Sequence, residues 1–519
     1  MNTGLDLTKV HLYDTTLRDG AQTSYLNLSL EGKLGITKLL TELGIPYIEG
    51  GFVGSNPRDM TYFQKVRELE LDTKITTRIA AFGMTSRTEN IESNMQPFLQ
   101  TNADIYTVVG KTHRGQVKTV LRYHDPKGYL RIIEDSVAYL KSQGRPVFFD
   151  AEHSFDGYKL DPDYTLASLE AAKRGEADIL ILCDTNGGNL PTDIYDITSQ
   201  IVREFGMPIG IHCHDDRGYG IANSMAGVKA GAIQVQGTMN GLGERVGNAN
   251  LTTLLVELYR EGYPVITESN LRKLTRIARE VGRLTGRRVS PNAPYVGEMA
   301  FSHAAGMHSD AMIKDPTAYE HISPETVGNK RYFPLSEQSG KAAVRWWTDK
   351  YGFKLSDEQL QTTMNEVNTL QNFGEAQTYL LLHRVSRDEE MPFELLDCRT
   401  TTIHTSDPPA DVKEATVKVM INGNCEHEVA DGDGPVNALD LAMRKALRKY
   451  YPKIEQVELI DYWVDLPSGE KGTQARVDVS ITFKNDGEEF TSRSSGTDII
   501  EASRRALEDG YKFYLLKEK

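Results

Sequence analysis

Two histidines one residue apart, in His212-Cys213-His214-Asp215-Asp216, close the β-branched run Ile209-Gly210-Ile211-His212. Alternate residues of a strand point to one side, so both imidazoles are presented together and can share a metal ion. The same spacing also arises where two polar residues merely end a strand. A second cluster, Asp14-Thr15-Thr16-Leu17-Arg18-Asp19-Gly20-Ala21-Gln22, follows another short run and offers Asp19 as a third ligand beside the guanidinium of Arg18. An Asp14–Arg18 ion pair is its structural alternative. The third segment runs from Asn240 through Gly241-Leu242-Gly243-Glu244-Arg245-Val246-Gly247-Asn248 to Asn250. Its glycines are spaced GxGxxxG, not GxGxxG, and they close a βαβ series instead of opening one, which argues against a dinucleotide fingerprint. A tight loop bringing Asn248 and Glu244 toward the other two clusters is the better reading. Two His, one Asp and one Asn leave coordination positions free for a bidentate substrate, so the ion would be catalytic. Zn²⁺, Mn²⁺, Mg²⁺ and Co²⁺ all suit such donors.

These clusters need a scaffold that gathers distant strand ends. Between Lys9 and about Thr238, eight short β-branched or aromatic runs alternate with longer amphipathic stretches: 10–13, 47–49, 75–79, 105–109, 147–149, 179–182, 209–212 and 233–236. That rhythm predicts an α/β fold, a closed (β/α)₈ TIM barrel whose chemistry sits at the C-terminal ends of the strands. The clusters follow strands one, seven and eight. Beyond residue 282 the rhythm is lost; 283–410 reads as a helical connecting subdomain, with a helix over Asp357 to Gln371 and a proline hinge at Asp407-Pro408-Pro409-Ala410-Asp411. From 411 to 519 a unit repeats. Val417–Ile421, a turn at Asn422-Gly423-Asn424, a strand and a helix Val436–Lys449 are echoed by Ala475–Phe483, a turn at Asn485-Asp486-Gly487, a strand and a helix Asp498–Phe513. This predicts a C-terminal α+β domain with an internal pseudo-twofold repeat; two unrelated hairpin-helix units are the alternative.

Length and composition agree. A chain of 519 residues exceeds what one core supports, so two or three folded units are expected. No apolar run approaches the roughly 20 residues of a membrane span, and Met1 to Val10 lacks a basic stretch followed by an apolar core, which predicts a cytoplasmic protein with no membrane partner. The four cysteines form no CxxC pair and read as buried thiols. A formal net charge of -14, with no basic block interleaved with aromatics, argues against a nucleic-acid partner.

The segments Asp14–Gln22, His212-x-His214 and Gly243-Glu244-Arg245-x-Gly247-Asn248 together resemble the acyltransferase and lyase family marked by a D-R-E or D-R-D triplet, which contains isopropylmalate, homocitrate and citramalate synthases and hydroxymethylglutaryl-CoA lyase. Within it, Ile48–Pro57, Phe149–Tyr158, Gly306–Ala311 and Asp315–Glu320 look most like the citramalate synthase branch. Two departures stand out: Phe52-Val53 replaces an expected Trp-Pro, and Asp215 stands where Asn is usual. The resemblance implies a condensation of acetyl-CoA with a 2-oxo acid such as pyruvate, on a divalent metal held by Asp19, His212, His214 and Asn248. It implies that Arg18 stabilises the developing alkoxide, that Arg18, Gln22 and Thr185 contact substrate, and that Glu152 or His308 is the base. His308 would then enter the active site from the connecting subdomain, in one version that of a second subunit. It also implies a homodimer and an end-product site in the C-terminal domain, with isoleucine as effector and a carboxylate received at the helix starts near Gly434-Pro435 and Gly496-Thr497; a domain that only dimerises is the alternative. Isopropylmalate synthesis, with a larger acceptor, is the nearest rival; a catalytically dead amino-acid sensor is a more distant one.

Overall fold

Eight parallel strands follow one another around a closed barrel in chain order: β1 (His11–Asp14), β2 (Tyr47–Phe52), β3 (Arg78–Met84), β4 (Ile105–Lys111), β5 (Val147–Glu152), β6 (Ile179–Asp184), β7 (Ile209–Cys213) and β8 (Gln234–Gly237). The last pairs with the first, Tyr13 opposite Gln236 and Asp14 opposite Gly237. The structure is a computed structural model that describes residues 6, 8–54, 56–73, 77–337, 339–367, 374–387, 390–404, 412–466 and 475–518.

The period-2 alternation of each strand sorts its side chains between two environments. On β5, Val147, Phe149 and Ala151 join the large apolar cluster outside the barrel. Phe148 faces inward, in a separate apolar cluster with Tyr13, Tyr47, Ala80, Ile105 and Ile181. Asp150 and Glu152 are the next two positions on that inward face. The interior is therefore apolar near the strand starts and polar toward their C-terminal ends. Helices between strands begin at side-chain caps: Ser29 accepts from the Gly32 N–H, Asp125 from Lys127, Asp161 from Tyr164 and Asn250 from Thr252. The third strand lies later than predicted, from Arg78 instead of Ile75, and residues 74–76 fall outside the described residues.

The chain divides into two compact units, one comprising residues 1–301 with 322–330 and the other 302–321 with 331–519. In the second, helices Gly306–Lys314, Lys341–Tyr351, Asp357–Val367 and Glu375–Arg387 precede two three-stranded antiparallel sheets. One contains β9 (Glu394–Ile403), β10 (Val412–Ile421) and β11 (Asn424–Asp431), followed by the helix Pro435–Leu447. The other contains β12 (Glu458–Asp465), β13 (Val477–Asn485) and β14 (Glu488–Gly496), followed by the helix Ile499–Lys517. The predicted repeat is present, and each copy has one strand more than expected, β9 and β12. The two helices meet where Tyr511 donates to Asp440, which also pairs with Arg444 at 3.1 Å. The proposed hinge 407–411 lies outside the described residues, as do positions 368–371 of the predicted helix.

Two smaller expectations are corrected. All four cysteines are free, but only Cys183 and Cys213 are buried, while Cys425 is exposed. At the second repeat helix the N-terminal amides are not open: the Asp498 carboxylate accepts from Ile500 and Glu501. Gly434 at the first helix provides no such side chain. Among the described residues no helix is long and apolar enough to cross a membrane.

Candidate metal centre and active site

His212 is the inward-facing penultimate residue of β7, and His214 lies just beyond, bridged through its backbone to Asn248. Asp19 comes from the turn after β1. The Asp19 Oδ2 lies 3.4 Å from His212 Nε2 and 3.8 Å from His214 Nε2, and the two Nε2 atoms are 3.4 Å apart. All three residues are buried. No other cluster of His, Cys, Asp and Glu with metal-holding geometry occurs among the described residues.

The lone pairs of this cluster converge for reasons visible in its neighbours. His212 Nδ1 lies 2.9 Å from the Gln236 side-chain oxygen, an acceptor, which aims Nε2 at Asp19; burial opposes a charge on this ring, but the Asp19 carboxylate more than offsets it and raises His212 above its ordinary value. Burial, reinforced by the charge of His212, pushes His214 down to about 4, which keeps that imidazole neutral. Burial opposes ionisation of Asp19, but Arg18 and the two histidines more than offset it and hold the carboxyl well below its ordinary range. Asn248 is 1% exposed; its amide donates to the Leu242 carbonyl at 3.3 Å, and its Oδ1 has no hydrogen-bond partner. Two imidazole nitrogens and a carboxylate within reach of one another, with an orphaned amide oxygen on the residue bridged to His214, form a donor set that suits a hard or borderline divalent cation. The residues therefore fit a metal.

Arg18 does not pair with Asp14. Its Nε donates to Glu49 Oε2 at 2.5 Å, one terminal nitrogen reaches Asp19 at 3.1 Å, the other lies 4.0 Å from Asp150, and the guanidinium sits 3.9 Å above the Phe82 ring. Asp14 instead accepts from the Thr16 backbone and hydroxyl. Glu49 is fixed in turn by the Tyr13 hydroxyl at 2.9 Å. Burial, with Glu49 adding to it, raises Asp150 to about 7, against the opposing pull of His212 and Arg18, and its Oδ1 has no partner. Glu49 and Asp150 lie within the segments Ile48–Pro57 and Phe149–Tyr158, which assign them no role, and Phe82 and Gln236 belong to no motif; the signal available was their place on the inward face of strands β2, β3, β5 and β8.

The other expected residues are distributed as follows. Glu152 ends β5 and pairs with Lys111 at 2.7 Å, with His153 Nε2 3.9 Å away. The Thr185 hydroxyl, just past β6, accepts from the His153 N–H at 2.8 Å. Gln22 is exposed and closes the turn Gly20–Gln22 that follows Asp19. His308 belongs to the second unit, exposed on the helix Gly306–Lys314 with its ring 4.4 Å from that of Tyr319. Glu244 turns to solvent, unlike Asn248. Both departures from the resembled pattern have structural roles: Phe52 packs edge-on against Phe82, and Asp215 accepts from Gly220 at the start of the helix Gly220–Lys229.

Residues 9–281, just over half of the chain, match the family model HMGL-like. Residues 295–375 match the homocitrate synthase post-HMGL domain-like model, and 373–515 the LeuA allosteric (dimerisation) domain. An (R)-citramalate synthase of Sulfolobus acidocaldarius is 39% identical over 98% of this chain and 97% of its own. Another, of Aquifex aeolicus, is 38% identical over 98% of both. A probable 2-isopropylmalate synthase of Methanopyrus kandleri is 32% identical over 97% of both chains.

Proposed function

The chain belongs to the HMGL-like family, in which it stands with the (R)-citramalate synthases, and from that premise we propose that its barrel condenses acetyl-CoA with pyruvate and water to give (R)-citramalate and CoA. The observation that carries the reading is the convergence of Asp19, His212 and His214 beside the clamped Arg18, with Asn248, whose side-chain oxygen has no partner, bridged through its backbone to His214. Those four residues would hold a divalent metal, Mn²⁺, Mg²⁺, Zn²⁺ or Co²⁺, which supplies a Lewis acid for the 2-oxo acid's carbonyl.

Arg18 supplies N–H donors to the oxygen that becomes an alkoxide, and Gln22 and Thr185 provide further polar contacts to substrate. The acetyl methyl gives its proton to a positioned base, Glu152 or His308, a contribution of roughly 10²- to 10⁴-fold. The resulting carbanion attacks the keto carbon, the alkoxide is protonated, and water then cleaves the thioester and releases CoA. Burial around Tyr13, Glu49 and Thr107 excludes water from beneath the reacting groups. Solvent tritium exchange into acetyl-CoA separates the bases: whichever of Glu152→Gln and His308→Ala abolishes exchange has lost the base. We place the enzyme in the cytoplasm, as a homodimer whose C-terminal domain receives isoleucine; its similarity to the LeuA allosteric (dimerisation) domain supports the dimer and the effector site.

The test is CoA release from acetyl-CoA with pyruvate, 2-oxobutyrate, 2-oxoisovalerate and 2-oxoglutarate in parallel, with and without EDTA. Pyruvate should give the highest kcat/KM, and EDTA should abolish release. A preference for 2-oxoisovalerate would move the chain to isopropylmalate synthesis. Silence with all four acids after metal restoration would end the condensation reading.

A further inference from the structure

Outside the barrel, behind β2, lies a buried ion pair that no step above uses. Lys33, on the helix Leu30–Leu43, is 3% exposed, and Asp59, in the first turn of the helix Pro57–Thr73, is 7% exposed. The ammonium lies 2.5 Å from Asp59 Oδ1 and donates to the Gly50 carbonyl at 3.1 Å; the other Asp59 oxygen accepts from the Phe52 N–H at 2.9 Å. Both contacts fall on the place where β2 loses register with β3. Glu49 pairs with Ala80 and Gly51 with Ala81, so Gly50 is an extra residue in the ladder. Such a bulge re-aims the side chains beside it.

The side chain beside this one is Glu49, which holds Arg18 at 2.5 Å and is held by Tyr13. The helix carrying Asp59 presses directly on the bulge: a Cβ on Gly50 would come within 2.5 Å of the Tyr62 ring, and one on Gly51 within 2.5 Å of Asp59 itself. Nothing larger than glycine fits either position, so the bulge and the ion pair form one unit. Buried ion pairs are often no more stabilising than apolar residues of like volume, and fixing one arrangement is their better-attested use. We propose that Lys33 and Asp59 are positioning residues for catalysis: they lock the Gly50 bulge, which sets where Glu49 enters the barrel and hence where Arg18 presents its donors.

The inference rests on the role given to Arg18 above, and its test has an arm independent of activity. In the full chain, the uncharged pair K33M/D59L keeps the volume filled, and D59N is an isosteric substitute should that variant not fold. A crystal structure of the variant should show the Glu49 carboxylate displaced from Arg18, whatever reaction the enzyme performs. In CoA release, kcat should fall about 10- to 100-fold while KM for pyruvate and acetyl-CoA changes less than about threefold. In an E49Q background the same substitution should add little further loss, because both act through one interaction. An unmoved Glu49–Arg18 pair, a parental kcat in the folded variant, or losses that multiply fully with E49Q would each overturn the proposal. A parent enzyme silent with every 2-oxo acid would strike the functional reading and leave the crystallographic arm to decide this one.

Discussion

Arg18 is clamped on several sides: Glu49 and Asp19 fix its nitrogens, Asp150 lies at 4.0 Å, and Phe82 floors its plane. A planar fork is needed to meet Glu49 and Asp19 together and still face substrate, and an ammonium lacks that geometry. Arg18→Lys should therefore retain bound metal but lose about 10²- to 10³-fold in kcat, the cost of about 2.7–4 kcal/mol expected when a preorganised donor is removed. Metal content by atomic absorption and turnover by CoA release check the two halves, and unchanged turnover would remove Arg18 from the mechanism. Gln236, 2.9 Å from His212 Nδ1, would act on a bound metal through that ring. Gln236→Leu should weaken metal binding about 10- to 100-fold, read by competition with a chromogenic chelator; an unchanged affinity would mean that the Nδ1 hydrogen bond does not orient the ring. Asp14 gives a pH-dependent signature. Burial, partly relieved by its Thr16 hydrogen bonds, raises it from the ordinary 3.8 to about 7. A carboxyl raised in the folded state favours folding fully at pH below 3.8 and loses that contribution as pH climbs through about 7, a change on the order of 4 kcal/mol by pH 8. Asp14→Asn keeps an acceptor for Thr16, so in EDTA it should raise Tm relative to the parent distinctly more at pH 8 than at pH 5. Equal differences at both pH values would show that burial does not raise the Asp14 carboxyl in the folded state.

Strands and loops decide whether those residues meet. The loop after β8 delivers Asn248 through two glycines in conformations that side chains avoid, Gly243 at φ +150° and Gly247 at φ +101°. A Cβ on Gly247 would overlap the Gly241 carbonyl oxygen, and one on Gly243 would strike the Asn248 amide. Gly247→Ala should therefore lose about 2–3 kcal/mol to strain and relaxation, and lose metal as Asn248 shifts; full metal occupancy at parental Tm would refute that link. The sequence made the eight strands legible because β-branched and aromatic runs recur at the barrel's spacing. It also showed Asp19, His212, His214 and Asn248, which stand at strand ends in motifs of fixed spacing. It misjudged β3 because Ile75-Thr76-Thr77 has higher strand propensity than the Ala80-Ala81-Phe82-Gly83 that forms the strand. Packing chose those small residues: a Cβ on Gly83 would lie 2.6 Å from the Phe98 ring. β9 and β12 escaped because neither has a fully buried residue, so neither shows the alternation that marks a half-buried strand. Glu49 went unassigned because its inward aim follows from barrel closure and from the bulge at Gly50, neither of which is local to the sequence.

At the scale of the whole molecule, the second unit carries two copies of a three-stranded sheet and helix, joined by buried Asp440 and Tyr511 with half-buried Arg444. Buried polar contacts between the copies suit a domain with discrete arrangements, because each arrangement must satisfy the same groups and intermediate ones leave them unpaired. Isoleucine binding there would regulate the barrel only through a difference in affinity between two such arrangements. Linkage then makes a quantitative demand: if isoleucine raises the dissociation constant of acetyl-CoA or pyruvate by some factor, that substrate must raise the dissociation constant of isoleucine by the same factor. Calorimetry of the intact enzyme should show isoleucine binding, with leucine and valine weaker. Repeating the titration with each substrate saturating should weaken it reciprocally, by about 5- to 150-fold for the coupled substrate. Turnover inhibition without such reciprocity would mean that the effector acts on kcat, through a step after binding. No binding of isoleucine, leucine or valine would leave the domain a purely structural element, and the control of this enzyme would have to lie elsewhere.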